Sequence, residues 1–413
     1  MSRGLETVGT ASALQRCVAV PADDFASDYW GRRALLSSAD DLGSTYDDLF
    51  STAAADELLS VRGLRTPFIR MAKEGSVLSP QAFTAPGGYG AEVGDQVSSE
   101  KVLAEFAAGS TIVLQGLHRT WPPLQEFTRR LVAELGHPAQ VNAYITPASS
   151  RGFDPHYDVH DVFVLQIAGE KRWVIHEPVH ELPFADEPWS DRRDAVAARA
   201  SGTPAIDTVL RPGDALYLPR GYLHSATALG GTTIHLTIGM PAVTRSDLAR
   251  VLVERALRSD ALRASLPLGV DLADPEQIAA EVRAAAEDLV AALTTTDDQS
   301  AAVAATVGTR FRRSTRPEPV RPLHTIEFSA ALTGADTVRW RDGLPTDVRI
   351  EGTRVAVVLP SGTVRLPAVC SEALHALTDG DGHRVGALPG LDEDDAVVVV
   401  RRLLREGVLV PAS

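Results

Sequence analysis

The chain has 413 residues, 44% hydrophobic and 23% charged, with a formal net charge of −14. Such proportions belong to a soluble globular protein with a sizeable core and room for roughly two to three domains. They speak against a nucleic-acid binder, because an acidic surface repels phosphate backbones, and no stretch approaches the roughly eighteen apolar residues of a membrane span.

The N-terminal stretch lacks the apolar centre of a secretory leader. Cys17 and Cys370 are the two cysteines, too far apart in sequence to suggest a disulfide framework or a CxxC metal site. A reducing cytoplasm is the expected setting. Residues 20–110 read as short helical and turn-rich stretches, with a Gly/Pro-punctuated loop around Gly87–Gln96. From Ser110 the pattern turns to strands: STIVLQGL is a β-rich run, then PLQEFTRRLVAELG reads as a helix closed by Gly136. Next come VNAYITP, DVFVLQIAG, KRWVIHEP, DTVLRPGDALYLP and TTIHLTIGM, β-branched and aromatic runs separated by turn residues. DVFVLQI, AGEK and RWVIHE together read as a hairpin with a short glycine turn. The whole of 110–240 therefore predicts a double-stranded β-helix, or jelly roll.

After Pro241 the composition becomes helical. TRSDLARVLVERALRSDALRASL and DPEQIAAEVRAAAEDLVAALTTT carry apolar residues at helical spacing, with Asp274 and Pro275 as N-cap and N1. RRSTRPEPVRP, residues 312–322, reads as a linker. Beyond it VRIEGTRVAVVLPSGTVRLP is hairpin-like, and DEDDAVVVVRRLLREGVLVPA is a helix closed by Gly407 before a short strand. This mixture predicts a winged-helix-like C-terminal domain whose acidic tail disfavours direct DNA binding and suits packing or protein docking. The expected domains are a catalytic domain with an N-terminal α/β extension over 1–243, a helical domain over 244–316 and the winged-helix-like domain over 317–413.

The chemistry concentrates in 142–178. On a strand, residues i and i+2 share a face, so His156 and Asp158 can hold one ion while Tyr157 points away. Pro155 fixes the backbone before the first ligand. Asp154 has the same parity, but its place before a proline favours a turn role. His224, after the LPRGY corner, is the third candidate. Two imidazoles and one carboxylate on one face of an octahedral ion leave three positions open, the pattern of non-haem Fe(II) oxygenases. His160, His176, His180 and His235 read as structural histidines. An oxygenase of this kind needs an electron-donating co-substrate, usually 2-oxoglutarate, whose distal carboxylate ends against a buried cation; Lys171 is the candidate. A solvated hairpin charge is the competing reading of Lys171. Asn142 and Tyr144, again i and i+2, could donate to the co-substrate's carboxylates.

The run NAYITP followed by GFDPHYDVHDVFVLQIAGEKRWVIHEP, with GSTIVLQGLHRTWPPL and DDFASDYWGRRALL upstream, resembles the JmjC-type ribosomal oxygenases of the cupin-4 family. Most of residues 20–240 take part in the resemblance. It implies His156, Asp158 and His224 as Fe(II) ligands and Lys171 as the partner of the 2-oxoglutarate 5-carboxylate. Tyr144 would support Lys171, Asn142 would lie near the other end, and Thr237 would be on a strand lining the pocket. The implied reaction consumes O₂ and 2-oxoglutarate, releases succinate and CO₂, and hydroxylates a histidine or arginine side chain of a ribosomal protein. The helices of 244–316 resemble the family's dimerisation module. Ala34 departs from the family's opening motif, which carries proline there. Other readings stay open: the same chemistry on a biosynthetic peptide or small natural product, a lysine demethylase, or a non-catalytic docking protein.

Overall fold

The computed structural model describes residues 12–412 apart from residues 44, 74, 91, 149–153 and 294–296. It comprises two compact units, Met1–Ala242 and Val243–Ser413.

The first unit is built on one nine-stranded sheet. Its strands are β1 (Leu35–Ser37), β2 (Ile69–Lys73), β3 (Ser76–Val77), β4 (Thr111–Leu114), β5 (Gln140–Thr146), β6 (Asp161–His176), β7 (Ile206–Leu210), β8 (Ala215–Leu218) and β9 (Leu223–Met240). They lie in the order β1-β8-β6-β9-β5-β4-β2-β3, with β7 beside the second half of β6. Every pairing is antiparallel. The sheet draws in β1, β2 and β3 from the region whose sequence reads as helices and turns.

β6 and β9 organise the unit, and β6 corrects an expectation. DVFVLQI and RWVIHE are not two arms of a hairpin but one continuous strand. Its first half pairs with β8 and its second with β7, while β9 runs alongside both halves. Gly169 sits at the change-over with φ of +66°, and a Cβ there would lie 2.4 Å from the Thr232 carbonyl oxygen. Only glycine combines that left-handed backbone with such close approach. β9 has a matching irregularity, since its register against β6 shifts between Leu229 and Ile234 and again before His235.

The core beneath is aromatic and aliphatic. Phe25, from DDFASDYW, packs against Phe163 and Tyr217 with ring centroids 5.8 and 4.9 Å away. The Tyr217 hydroxyl donates to Asp161 at 3.2 Å and accepts from the Gly31 amide at 2.8 Å, which ties the N-terminal segment to the sheet. The helix Pro122–Leu135 forms as its sequence predicts. It buries Leu124, Phe127, Thr128 and Leu131, one face at helical spacing, and Gly136 ends it at φ +67°.

In the second unit, helix Arg245–Ala256 starts with a capping box between Thr244 and Asp247. Asp274 caps Pro275–Ala292 by accepting from the Glu276 and Gln277 amides. Helix Asp297–Ser314 extends into the expected linker, and Pro322–Ala331 begins at its end. VRIEGTRVAVVLPSGTVRLP is a three-stranded meander, not a single hairpin. A second small sheet joins Thr337–Trp340 to His383–Arg384 and Leu409–Pro411, and helix Glu393–Arg405 packs Val400, Leu403 and Leu404 into the local core. No helix among the described residues is long and apolar enough to cross a membrane.

Candidate metal centre

His156 and His224 face one another across a single antiparallel bridge. The His224 amide donates to the His156 carbonyl at 2.8 Å, and the His156 amide donates back at 3.2 Å. Residues 157–160 are irregular, so the expected strand carrying His156 and Asp158 is reduced to that bridge. The alternation survives nonetheless: Tyr157 points away, buried, and its hydroxyl donates to the Glu187 carbonyl at 2.9 Å. The Gly221 amide donates to the Asp158 carbonyl at 3.0 Å and anchors the loop.

One ligand atom each from His156, Asp158 and His224 lies within 4.8 Å of the others. Both rings are oriented from behind. His156 Nδ1 donates to the Asp154 carbonyl at 2.7 Å and His224 Nδ1 to the Tyr222 carbonyl at 3.2 Å. A backbone carbonyl only accepts, so each Nδ1 carries the proton and each Nε2 presents a lone pair. Asp154 thus enters through its carbonyl oxygen. Burial pushes the His224 pKa down to about 4, so the ring is neutral and ready to ligate at neutral pH. For Asp158, burial pushes upward, but His224, His160, His156 and Arg70 together outweigh it and hold the carboxyl below its usual range. Two imidazoles and a carboxylate on one side of a cavity fit a divalent ion with open coordination positions.

That cavity, of about 520 Å³, continues past the ligands to Lys171, Tyr144, Thr146, His235 and Thr237. The solvated reading of Lys171 does not hold: the residue is 3% exposed. Its Nζ donates to Thr146 Oγ1 at 3.3 Å and lies 3.5 Å from His235 Nδ1. Burial alone lowers its pKa to about 7, with no carboxylate among the described residues to offset it. A buried ammonium at a cavity wall without a carboxylate partner is suited to a ligand that brings one. Burial raises the Tyr144 pKa, and the nearby Arg70 charge opposes that shift. Asn142 is not among the cavity-lining residues; its Oδ1 accepts from the Gly116 amide at 3.0 Å.

Sequence reasoning missed several lining residues. Thr146 shares the parity of Tyr144 on β5 and could have been named from it. Arg70 comes from β2, remote in sequence, with no local signal. Trp189 and Arg193 come from an unpatterned segment; the Trp189 ring lies 6.2 Å from that of His156, and the Arg193 guanidinium stacks 4.8 Å over it. His235, read as structural, lines the cavity.

The JmjC domain model matches residues 120–248, which span the site from Tyr144 to Thr237. The chain is 30% identical over 270 residues to ribosomal oxygenase 1 of Rattus norvegicus, covering 63% of this chain and 40% of that protein. It is 36% identical over 162 residues to the bifunctional lysine-specific demethylase and histidyl-hydroxylase NO66 of Drosophila persimilis, covering 36% of this chain and 20% of that protein. The chain spans less than half the length of these curated relatives. Among solved structures, the ribosomal oxygenase YcfD of Escherichia coli in complex with cobalt and 2-oxoglutarate superposes with a TM-score of 0.51 at 17% identity, covering 96% of this chain and 99% of that one. That likeness establishes the JmjC/cupin fold.

Proposed function

We propose that this chain is an Fe(II)- and 2-oxoglutarate-dependent oxygenase that hydroxylates a side chain of His or Arg type in a ribosomal or other protein. One observation carries the reading: three ligand atoms within 4.8 Å of each other share a cavity with a buried lysine that has no carboxylate partner among the described residues. Its similarity to a ribosomal oxygenase and to a histidyl-hydroxylase supports the same chemistry.

His156, Asp158 and His224 would hold the metal. When bound, Fe(II) with O₂ couples decarboxylation of 2-oxoglutarate, to succinate and CO₂, to insertion of one oxygen atom into a C–H bond. Lys171 binds the distal carboxylate of the co-substrate, with Thr146 and Tyr144 beside it and Thr237 on the adjoining strand. Trp173 and Val164 supply part of the cavity's apolar wall. Asn142 acts at one remove, holding the backbone at Gly116 beside β5.

The second unit provides the assembly surfaces. Helix Pro275–Ala292 buries none of its side chains and exposes Val282 and Val290, which suits a homodimer contact. The segment 317–413 acts as a winged-helix-like docking module, with the meander as its wing. Both cysteines are free and buried, consistent with a cytoplasmic setting.

The test is succinate formation by the iron-loaded protein on basic ribosomal-protein peptides, with a mass gain of one oxygen atom on the peptide. No peptide-stimulated turnover across such a panel would sink the reading.

A further inference from the structure

His235 has no part in the metal triad, yet it is 4% exposed and held on three sides. Its ring stacks on Tyr144, its cross-strand neighbour, with centroids 5.1 Å apart and planes 6° from parallel. Trp173 meets it edge-on at 5.3 Å and 86°. The third contact is Lys171, whose Nζ is 3.5 Å from Nδ1.

An ammonium has three donors and no acceptor. Thr146 Oγ1 and His235 Nδ1 take two of the Lys171 N–H groups, which leaves one for a ligand in the cavity. Only a neutral imidazole with a bare Nδ1 can accept from an ammonium. Burial first, then the Lys171 charge, holds the His235 pKa well below the ordinary value, so the ring is neutral. Hydrogen bonds to the charged form of a buried lysine oppose the desolvation that would discharge it.

We propose that His235 is a positioning residue for the co-substrate: its Nδ1, fixed between the Tyr144 face and the Trp173 edge, accepts from the Lys171 ammonium and keeps it aimed at the carboxylate of the bound dicarboxylate. The inference rests on reading the cavity as a 2-oxoglutarate site. It adds a residue outside the ligand set, and it accounts for a histidine placed where a phenylalanine would pack as well.

The experiment is calorimetric titration of 2-oxoglutarate into the full-length, Mn(II)-loaded protein. H235F keeps an aromatic ring between Tyr144 and Trp173 and removes the acceptor. H235N places an amide oxygen where Nδ1 stands. Expected is a rise in Kd for H235F of about tenfold or more, on the scale of lost supporting contacts to a binding group, with most of the affinity restored in H235N. Turnover at saturating 2-oxoglutarate should change much less than KM. If H235F fails to fold, H235Q, whose amide sits at the Nε2 position, takes its place in the comparison. H235F binding as tightly as wild type would overturn the proposal, and so would equal losses in H235F and H235N, which would mark a packing role. Failure of the wild-type protein itself to bind 2-oxoglutarate would overturn the reading of the cavity instead.

Discussion

At His156 and His224 the atom that sets the chemistry is the one facing away from the cavity. Nδ1 of each ring is spent on a backbone carbonyl, which fixes the tautomer and the ring plane before any metal arrives. D158A and H224A are therefore expected to lose the metal under dialysis, read by elemental analysis. D154A should keep it, because the residue orients His156 through a main-chain oxygen that the substitution retains. Lys171 gives a pH prediction. Its folded-state pKa is lowered to about 7, so the free protein sheds this proton as pH rises through 7. A bound carboxylate favours the charged form, and binding above pH 7 must take a proton up. The affinity for 2-oxoglutarate is expected to fall as pH rises from 7 towards 9, with proton uptake visible as a buffer-dependent calorimetric heat. In K171M that pH dependence should vanish along with most of the affinity. His156 and Asp158 could be grouped from the local H-x-D pattern, whereas His224 and Lys171 stood out mainly through the family resemblance, since spacing alone leaves Lys171 a solvated charge. Arg70 and His235 were not legible, since nothing beside them in the chain says which strand they will face.

Element scale explains that blindness. Strand parity predicts one face per strand, and it holds over β5, where Tyr144 and Thr146 both reach the cavity. It fails over β6, where Val162 and Val164 line the cavity before the bend and Lys171 and Trp173 line it after. β9 does the same, with His224 and Ala226 ahead of its irregularity and His235 and Thr237 beyond it. Positions 224 and 235 have opposite parity, so regular alternation would set one of them against the other; the register shifts bring both inward. The AGEK sequence signalled a turn correctly as chemistry but not as topology, because a left-handed glycine serves a bend within a strand as well as a hairpin. G169A should therefore destabilise the first unit by roughly 1–3 kcal/mol or more, since a Cβ meets both an unfavourable backbone region and the Thr232 carbonyl 2.4 Å away. Urea denaturation followed by tryptophan fluorescence measures it; a loss below that range would mean the bend relaxes freely.

For the whole molecule, composition and helical periodicity announced the change of character after Pro241, and the two compact units divide there. What such periodicity cannot give is the partner of a face. Helix Pro275–Ala292 has the spacing of a packed helix yet buries no side chain. V282E/V290E is expected to shift a dimer towards monomer in light scattering while the metal content stays unchanged. A monomeric wild-type protein at micromolar concentration would refute that contact.

The crossings at Gly169 and at 229–234 also constrain what length changes the chain can survive. Beyond each, inward and outward are exchanged, so losing or gaining one residue there would invert the phase of everything downstream in that strand. Lys171 would turn out of the cavity in one case, and His235 and Thr237 in the other. A change of two residues preserves the phase and alters only local twist. The segments 86–90 and 92–95, which lead into no cavity-lining strand, are under no such rule. The two bends thus act as a parity lock on chain length within an otherwise permissive sheet.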